Sequence, residues 1–232
     1  MKFKAPLLTG HLIRRYKRFM ADIELTSGKI ITAHCANSGA MLDLLEEGNK
    51  VWVSPAQNPD RKLKYTWELV ETDGTMVGVN TSLPNGLAEE GILSGFFTDL
   101  QGYDSIKREV KYGQNSRIDI LLSKEDGSKC FVEVKNVHLK RGHRAEFPDS
   151  VTSRGTKHLN ELMAMVDAGD RSVMVYIIQR DDCKSFSPAR DLDPVYGDTL
   201  DKAARFGVEL LAADCRVTPD EIVLNRMLPV EL

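Results

Sequence analysis

Arg117-Ile-Asp-Ile-Leu-Leu122 and Phe131-Val-Glu-Val-Lys135 are the two stretches on which the fold of this 232-residue chain turns. Both are short, aliphatic and rich in β-branched residues. Ser123-Lys-Glu-Asp-Gly-Ser128, a polar loop containing Asp126-Gly127, separates them, so they read as the arms of a β-hairpin. Side chains alternate across a strand, which puts Glu133 and Lys135 on one face. Asp119 lies among apolar neighbours, where a lone carboxylate is costly without a partner. If the hairpin sets Asp119 beside Glu133, two carboxylates and an ammonium converge.

Such a trio suits phosphodiester chemistry. Asp119 and Glu133 offer hard oxygen ligands to Mg²⁺ or Mn²⁺, with Glu109 on the preceding strand as a further carboxylate. A bound ion lowers the pKa of its water and neutralises phosphate charge, and Lys135 would orient that water or stabilise the developing charge. The competing account is an ordinary solvent-facing Glu-x-Lys pair, with Asp119 accepting backbone hydrogen bonds.

Outward from the hairpin, helical spacing runs from Leu87 to Leu100, and strand-like runs cover Ser105–Lys111, Arg117–Leu122 and Lys129–Val137. A long helix follows from Pro148 to about Asp167. Ser172–Gln179 is apolar enough for a strand buried on both faces, as parallel strands are. A helix near Tyr196–Phe206 and a strand at Val208–Ala212 complete the order α-β-β-β-α-β-α-β, a mixed α/β sheet domain. Residues 1–84 differ: about five short strands broken by turns such as Thr26-Ser-Gly-Lys29 and Thr72-Asp-Gly74 suggest a small OB-like barrel. The expected organisation is therefore an α+β chain of two domains, 1–84 and 85–232.

With 31 Lys+Arg against 34 Asp+Glu, the chain is no polycation, so any nucleic acid must bind a local basic surface. The barrel half holds 11 basic and 9 acidic residues, the remainder 20 and 25. Arg14, Arg15, Lys17 and Arg18 surround Tyr16 and Phe19, cations and aromatics that suit phosphate contact and base stacking; a solvated strand edge would look the same. On the long helix Arg154, Lys157, His158 and Glu161 share one face, from which Lys157 or His158 could reach a phosphate. His138, Lys140, Arg141, His143 and Arg144 read as a basic loop, either clamping a backbone or merely mobile. The cysteines, Cys35, Cys130, Cys183 and Cys215, are scattered without metal-finger spacing and are expected to be reduced and buried. No apolar run is long enough to span a membrane and no leader pattern is evident, so a cytoplasmic location is expected. Asn37-Ser38-Gly39 reads as a turn rather than a nucleophile site, and phosphate-cradling glycine motifs are absent.

Several ordered blocks resemble the sugar fermentation stimulation protein A family. They are Arg14-Arg-Tyr-Lys-Arg-Phe19, His34-Cys-Ala-Asn-Ser-Gly-Ala-Met41, Glu109-Val-Lys-Tyr-Gly113, Ser116-Arg-Ile-Asp119, Glu133-Val-Lys135, Phe147-Pro-Asp149, Arg154-Gly-Thr-Lys-His-Leu159 and Phe186-Ser-Pro-Ala189. The resemblance implies an N-terminal OB-type barrel, a C-terminal domain like the PD-(D/E)XK nucleases, DNA binding without marked sequence preference, and a regulatory role in sugar (maltose) metabolism. Ile118 stands where the nuclease motif has Pro. Family membership leaves three functions open: a DNA binder with a nuclease-like metal site, an active Mg²⁺- or Mn²⁺-dependent hydrolase of DNA or RNA, or a non-catalytic binder of another anionic ligand.

Overall fold

Alternating apolar positions build the first half of the chain. In a computed structural model that describes residues 1–58, 60–113 and 116–232, they form β1 (Leu8–Tyr16), β2 (Met20–Leu25), β3 (Ile30–Cys35), β4 (Lys50–Pro55) and β5 (Tyr65–Thr72). These pair in the order β3-β2-β1-β4-β5, with β6 (Thr75–Gly78) added at the end. A parallel contact between β3 and β5, His34 opposite Thr66 and Cys35 opposite Trp67, closes the barrel. Leu12, Ile23, Ala33, Val53 and Trp67 fill it. This is the expected OB-like barrel.

The second half is laid on a six-stranded sheet. Its elements are α1 (Pro84–Leu93), β7 (Ser105–Tyr112), β8 (Ser116–Ser123), β9 (Lys129–Val137), β10 (Leu139–Arg141), β11 (Arg144–Phe147), α2 (Ser153–Asp167), β12 (Arg171–Ile178), β13 (Ser185–Pro188), α3 (Pro194–Phe206), β14 (Glu209–Val217) and β15 (Ile222–Leu228). The main sheet runs β15-β14-β12-β9-β8-β7, and β12 pairs parallel with both β9 and β14, as its continuous apolar sequence predicts. Leu87, Ala88 and Ile92 of α1 pack on one face with Ile120, Val132 and Val175. Leu159 and Leu162 of α2 and Leu200 of α3 cover the other with Met174 and Tyr176. Thr152 caps α2 by accepting from the Gly155 N–H, and Asp193 caps α3 through Tyr196.

Three expectations change. The helix expected to Leu100 stops at Leu93: Ser94 ends it, Gly95 takes a left-handed φ of 80°, and only one 3₁₀ turn, Thr98–Leu100, follows. The long helix begins at Ser153 rather than Pro148, where the Thr152 side chain supplies the cap. The supposed basic loop is instead the hairpin β10–β11, extended by a parallel pairing to β13. Its cations are engaged, Lys140 with Asp182 (2.7 Å) and Arg141 with Asp191 (2.6 Å) and Glu146.

The two halves meet over a common core. Trp52 and Leu69 of the barrel belong to the same apolar cluster as Leu87, Ile120 and Val132. Gly78 N donates to Gln179 O (2.8 Å) and Met41 N to Asp149 Oδ2 (2.8 Å). Residues 1–3 pack on the second half, with Phe3 N donating to Asp220 O. All four cysteines are free and buried. Among the described residues no helix is long and apolar enough to cross a membrane.

Candidate functional site

Strands β8 and β9 pair from Ser123↔Lys129 to Ile120↔Val132 and then part. Had the ladder gone on, Asp119 would face Glu133. Instead the Asp119 side chain takes over as acceptor: its Oδ2 receives the Val134 N–H (2.8 Å) and its Oδ1 the Asn85 Nδ2 (2.8 Å) from the start of α1. A backbone donor that the parted ladder leaves without its neighbour's carbonyl thus fixes the carboxylate at the gap. Glu133 and Lys135 point from β9 toward α2. Lys135 Nζ lies 2.7 Å from Glu133 Oε1, and His158 of α2 closes the group, its Nδ1 in a short contact with the same oxygen and 3.2 Å from Lys135 Nζ. Arg154, one turn earlier, donates its Nε to His158 Nε2 (3.3 Å).

The electrostatics follow from this packing. Burial pushes the Asp119 carboxyl up to about 6, and the negative charge of Glu133 adds to the rise. Burial acts on Glu133 in the same direction, but the Lys135 ammonium and the His158 hydrogen bond outweigh it and hold that carboxyl below the ordinary range. Burial raises the Tyr112 hydroxyl strongly, and the charges of Glu133, Glu161 and Asp119 raise it further.

Asp119, Glu133 and Lys135 are therefore brought together. Glu109 is not: it sits exposed on edge strand β7, between the pairs Arg108↔Ile120 and Val110↔Ile118, with a left-handed φ of 54°. Glu161 occupies the inner position instead, buried on α2 with Lys157 Nζ 3.6 Å away. Its spacing three residues after His158 is the sequence signal for this. Asn85, which steadies Asp119, carries no such signal.

The cations expected to meet nucleic acid divide. Arg14 is exposed, bonded to Asp22 (2.9 Å) and lying over the Tyr16 ring. Arg15 is spent on the protein's own carbonyls, those of Arg18, Asn37 and Gly39. Lys17 and Arg18 form an exposed left-handed turn, with φ of 46° and 63°. Arg154 and Lys157 are exposed, whereas His158 is buried against Glu133 and turned away from any surface phosphate. A cleft of about 360 Å³ joins the halves, with Arg18 and Ser38 on the barrel side, Arg154 and Asp149 opposite, and Lys135 at its floor. Gly39 N donates to Asn37 Oδ1 (2.9 Å), so the segment 37–39 is the turn its sequence predicts.

A divalent cation fits this donor set in one respect. Glu133 Oε2 is buried and has no hydrogen-bond partner among the described residues, an orphaned acceptor beside a second carboxylate whose ionisation is suppressed. Among those residues no three His, Cys, Asp or Glu side chains form a ready cage. A pair of carboxylates completed by water and phosphate is how Mg²⁺ is ordinarily held.

Comparison with known proteins agrees with this architecture. Residues 82–221 match the family model described as Sugar fermentation stimulation protein RE domain, and residues 13–79 match that of the SfsA N-terminal OB domain. A "Sugar fermentation stimulation protein homolog" of Paramagnetospirillum magneticum is 60% identical over 100% of this chain and 98% of its own length. One from Maricaulis maris is 55% identical, covering 100% and 99%. A solved structure of Pyrococcus furiosus SfsA in complex with Ca²⁺ superimposes with a TM-score of 0.91 at 28% identity, covering 100% of this chain and 98% of that one.

Proposed function

Because the chain belongs to the sugar fermentation stimulation protein family, we propose that it is a DNA-binding protein with a nuclease-like site for Mg²⁺ or Mn²⁺ at Asp119 and Glu133. The observation that carries this is the parting of β8 and β9, which leaves the Asp119 and Glu133 carboxylates next to Lys135, the member of the trio that lines a cleft edged by Arg18 and Arg154. The Ca²⁺ complex of the Pyrococcus furiosus relative, matched along the whole chain, supports a divalent ion here. When bound, the ion would supply charge neutralisation and an acidified water. The chain's own groups do the rest. Arg18 and Arg154 hold the phosphate backbone, Asn85 and the Val134 N–H keep Asp119 aimed, and Lys135 places its ammonium where negative charge would grow.

Lys135 favours a second reading, that the site hydrolyses DNA or RNA, because a half-buried ammonium beside a ligand carboxylate serves transition-state charge better than ground-state binding. Binding without cleavage would suit the regulatory part in sugar metabolism that the family's name implies. The test is to titrate Mn²⁺ into wild type and Asp119→Ala while following Tm, then to incubate supercoiled and single-stranded DNA with Mg²⁺ or Mn²⁺, with Lys135→Ala as the control. A Tm rise confined to wild type is expected; equal curves overturn the metal site. Nicking lost in Lys135→Ala establishes the hydrolase, and binding without nicking leaves the DNA-binding role.

A further inference from the structure

Phe19 follows Arg18 in the left-handed turn between β1 and β2, and the residue is 46% exposed. It takes no part in the barrel core, which Ala21, Ile23, Ala33 and Cys35 fill from the same strands. It lies instead against His34, ring centroids 6.4 Å apart and planes at 29°. The Arg15 side chain holds the turn in place by donating Nε to Arg18 O (2.9 Å) and Nη2 to Asn37 O (2.9 Å) and Gly39 O (3.0 Å). A rigid turn thus presents a flat ring pair to solvent beside an arginine that borders the cleft. A lone exposed Phe is commonplace; one stacked beside the cation that lines the route to Lys135 is not arbitrarily placed.

The cleft's volume, about 360 Å³, lies at the low end of the roughly 300–1,000 Å³ of small-ligand sites. One nucleotide fits there; a base pair with two backbones does not. Its two acids are engaged already, Asp149 with the Met41 N–H and Glu146 with Arg141, leaving the polar lining suited to an anion. Ring faces for bases next to cations for phosphates are the combination with which proteins hold unpaired strands, whose bases, unlike those of a duplex, are free to stack on a side chain.

We infer that the cleft and the Phe19–His34 ring pair receive an unpaired nucleic-acid strand: one nucleotide enters the cleft with its phosphate between Arg18 and Arg154, and a neighbouring base stacks on Phe19. This rests on the proposed nucleic-acid binding and adds the strandedness of the substrate.

The test is fluorescence anisotropy of the full chain in EDTA, so that binding is read apart from any metal. The probes are a labelled DNA strand of about 12 nucleotides, within the range of OB-fold site sizes, its RNA counterpart and the DNA duplex. At least one single strand should bind tenfold or more tighter than the duplex, and comparison of the DNA and RNA arms identifies the sugar. Phe19→Ala should weaken that binding by about fivefold to a hundredfold, the span of one lost base–aromatic stack, with duplex binding unchanged. Phe19→Trp should restore it, and Arg18→Glu, with an unaltered circular dichroism spectrum, should weaken it independently. Equal or tighter duplex binding, or single-strand binding indifferent to Phe19→Ala, overturns this inference while leaving the metal site standing. Binding to none of the three probes removes the nucleic-acid proposal with it.

Discussion

Asp119 Oδ2 receives the N–H of Val134, the residue next to Glu133, at 2.8 Å, so the two carboxylates of the site are tied through one backbone amide. That tie draws a second negative charge toward Glu133 in a buried place. Burial first, and Glu133 second, push the Asp119 carboxyl up to about 6 from 3.8.

Linkage gives the first prediction its sign. The folded chain binds the Asp119 proton more tightly than the unfolded chain does, so the contribution is full below about pH 4 and is lost as pH rises through 6. The loss amounts to on the order of 2 kcal/mol. Urea unfolding of wild type and Asp119→Asn in chelator, at intervals from pH 4 to 7, should show the variant gaining on wild type as pH rises. Parallel profiles would contradict it.

Glu133 and Lys135 form a pair whose side chains are 3% and 12% exposed. Removing one partner of such a pair strands the other's charge, at a cost of about 3 kcal/mol. Lys135→Met alone should therefore destabilise the chain more than Lys135→Met combined with Glu133→Gln. A double-mutant cycle by chemical denaturation measures the difference.

Asp149 links the halves. It accepts the Met41 N–H, and His138 Nε2 lies 3.2 Å away, close enough for an ion pair though off the line of a straight hydrogen bond. Burial raises this carboxyl, but the His138 contact and the Met41 N–H outweigh it and leave it below the ordinary range. Its contribution is thus present at neutral pH and fades as pH falls below about 4. Asp149→Ala should cost about 1–3 kcal/mol at pH 7 and less in acid, read by thermal melts across that range.

Thr152 caps α2 and so helps to set the orientation from which His158 reaches Glu133. Thr152→Ala should cost about 1 kcal/mol, and Thr152→Ser almost nothing. Melting temperatures of the two variants check this.

Strand alternation made much of this legible. Glu133 and Lys135 had to share a face, and the unbroken apolar run of β12 had to be flanked by parallel neighbours. What escaped was governed by partners remote in sequence. β10, β11 and β13 are only three or four residues long, the first two charged, and their pairing rests on contacts such as Arg141 with Asp191 that no local period announces. His158 shares a helix face with Arg154 and Lys157, yet only the depth of α2 against β9 decides that the imidazole is buried while the two cations stay outside. Arg15 looks like its neighbours in sequence, but the carbonyls of the segment 37–39 claim it. Glu109 matched in type and failed in position, because an edge strand with a left-handed residue turns it to water.

Trp52 and Leu69 sit in one apolar mass with Leu87, Ile120 and Val132. The seam between barrel and sheet is therefore chemical but not mechanical. Scission near residue 84 would bare a greasy flank on both fragments, and neither is fit to be produced by itself. Heat should likewise undo the molecule in a single calorimetric peak, so any strand lodged between the halves is gripped by one solid body rather than by jaws that swing.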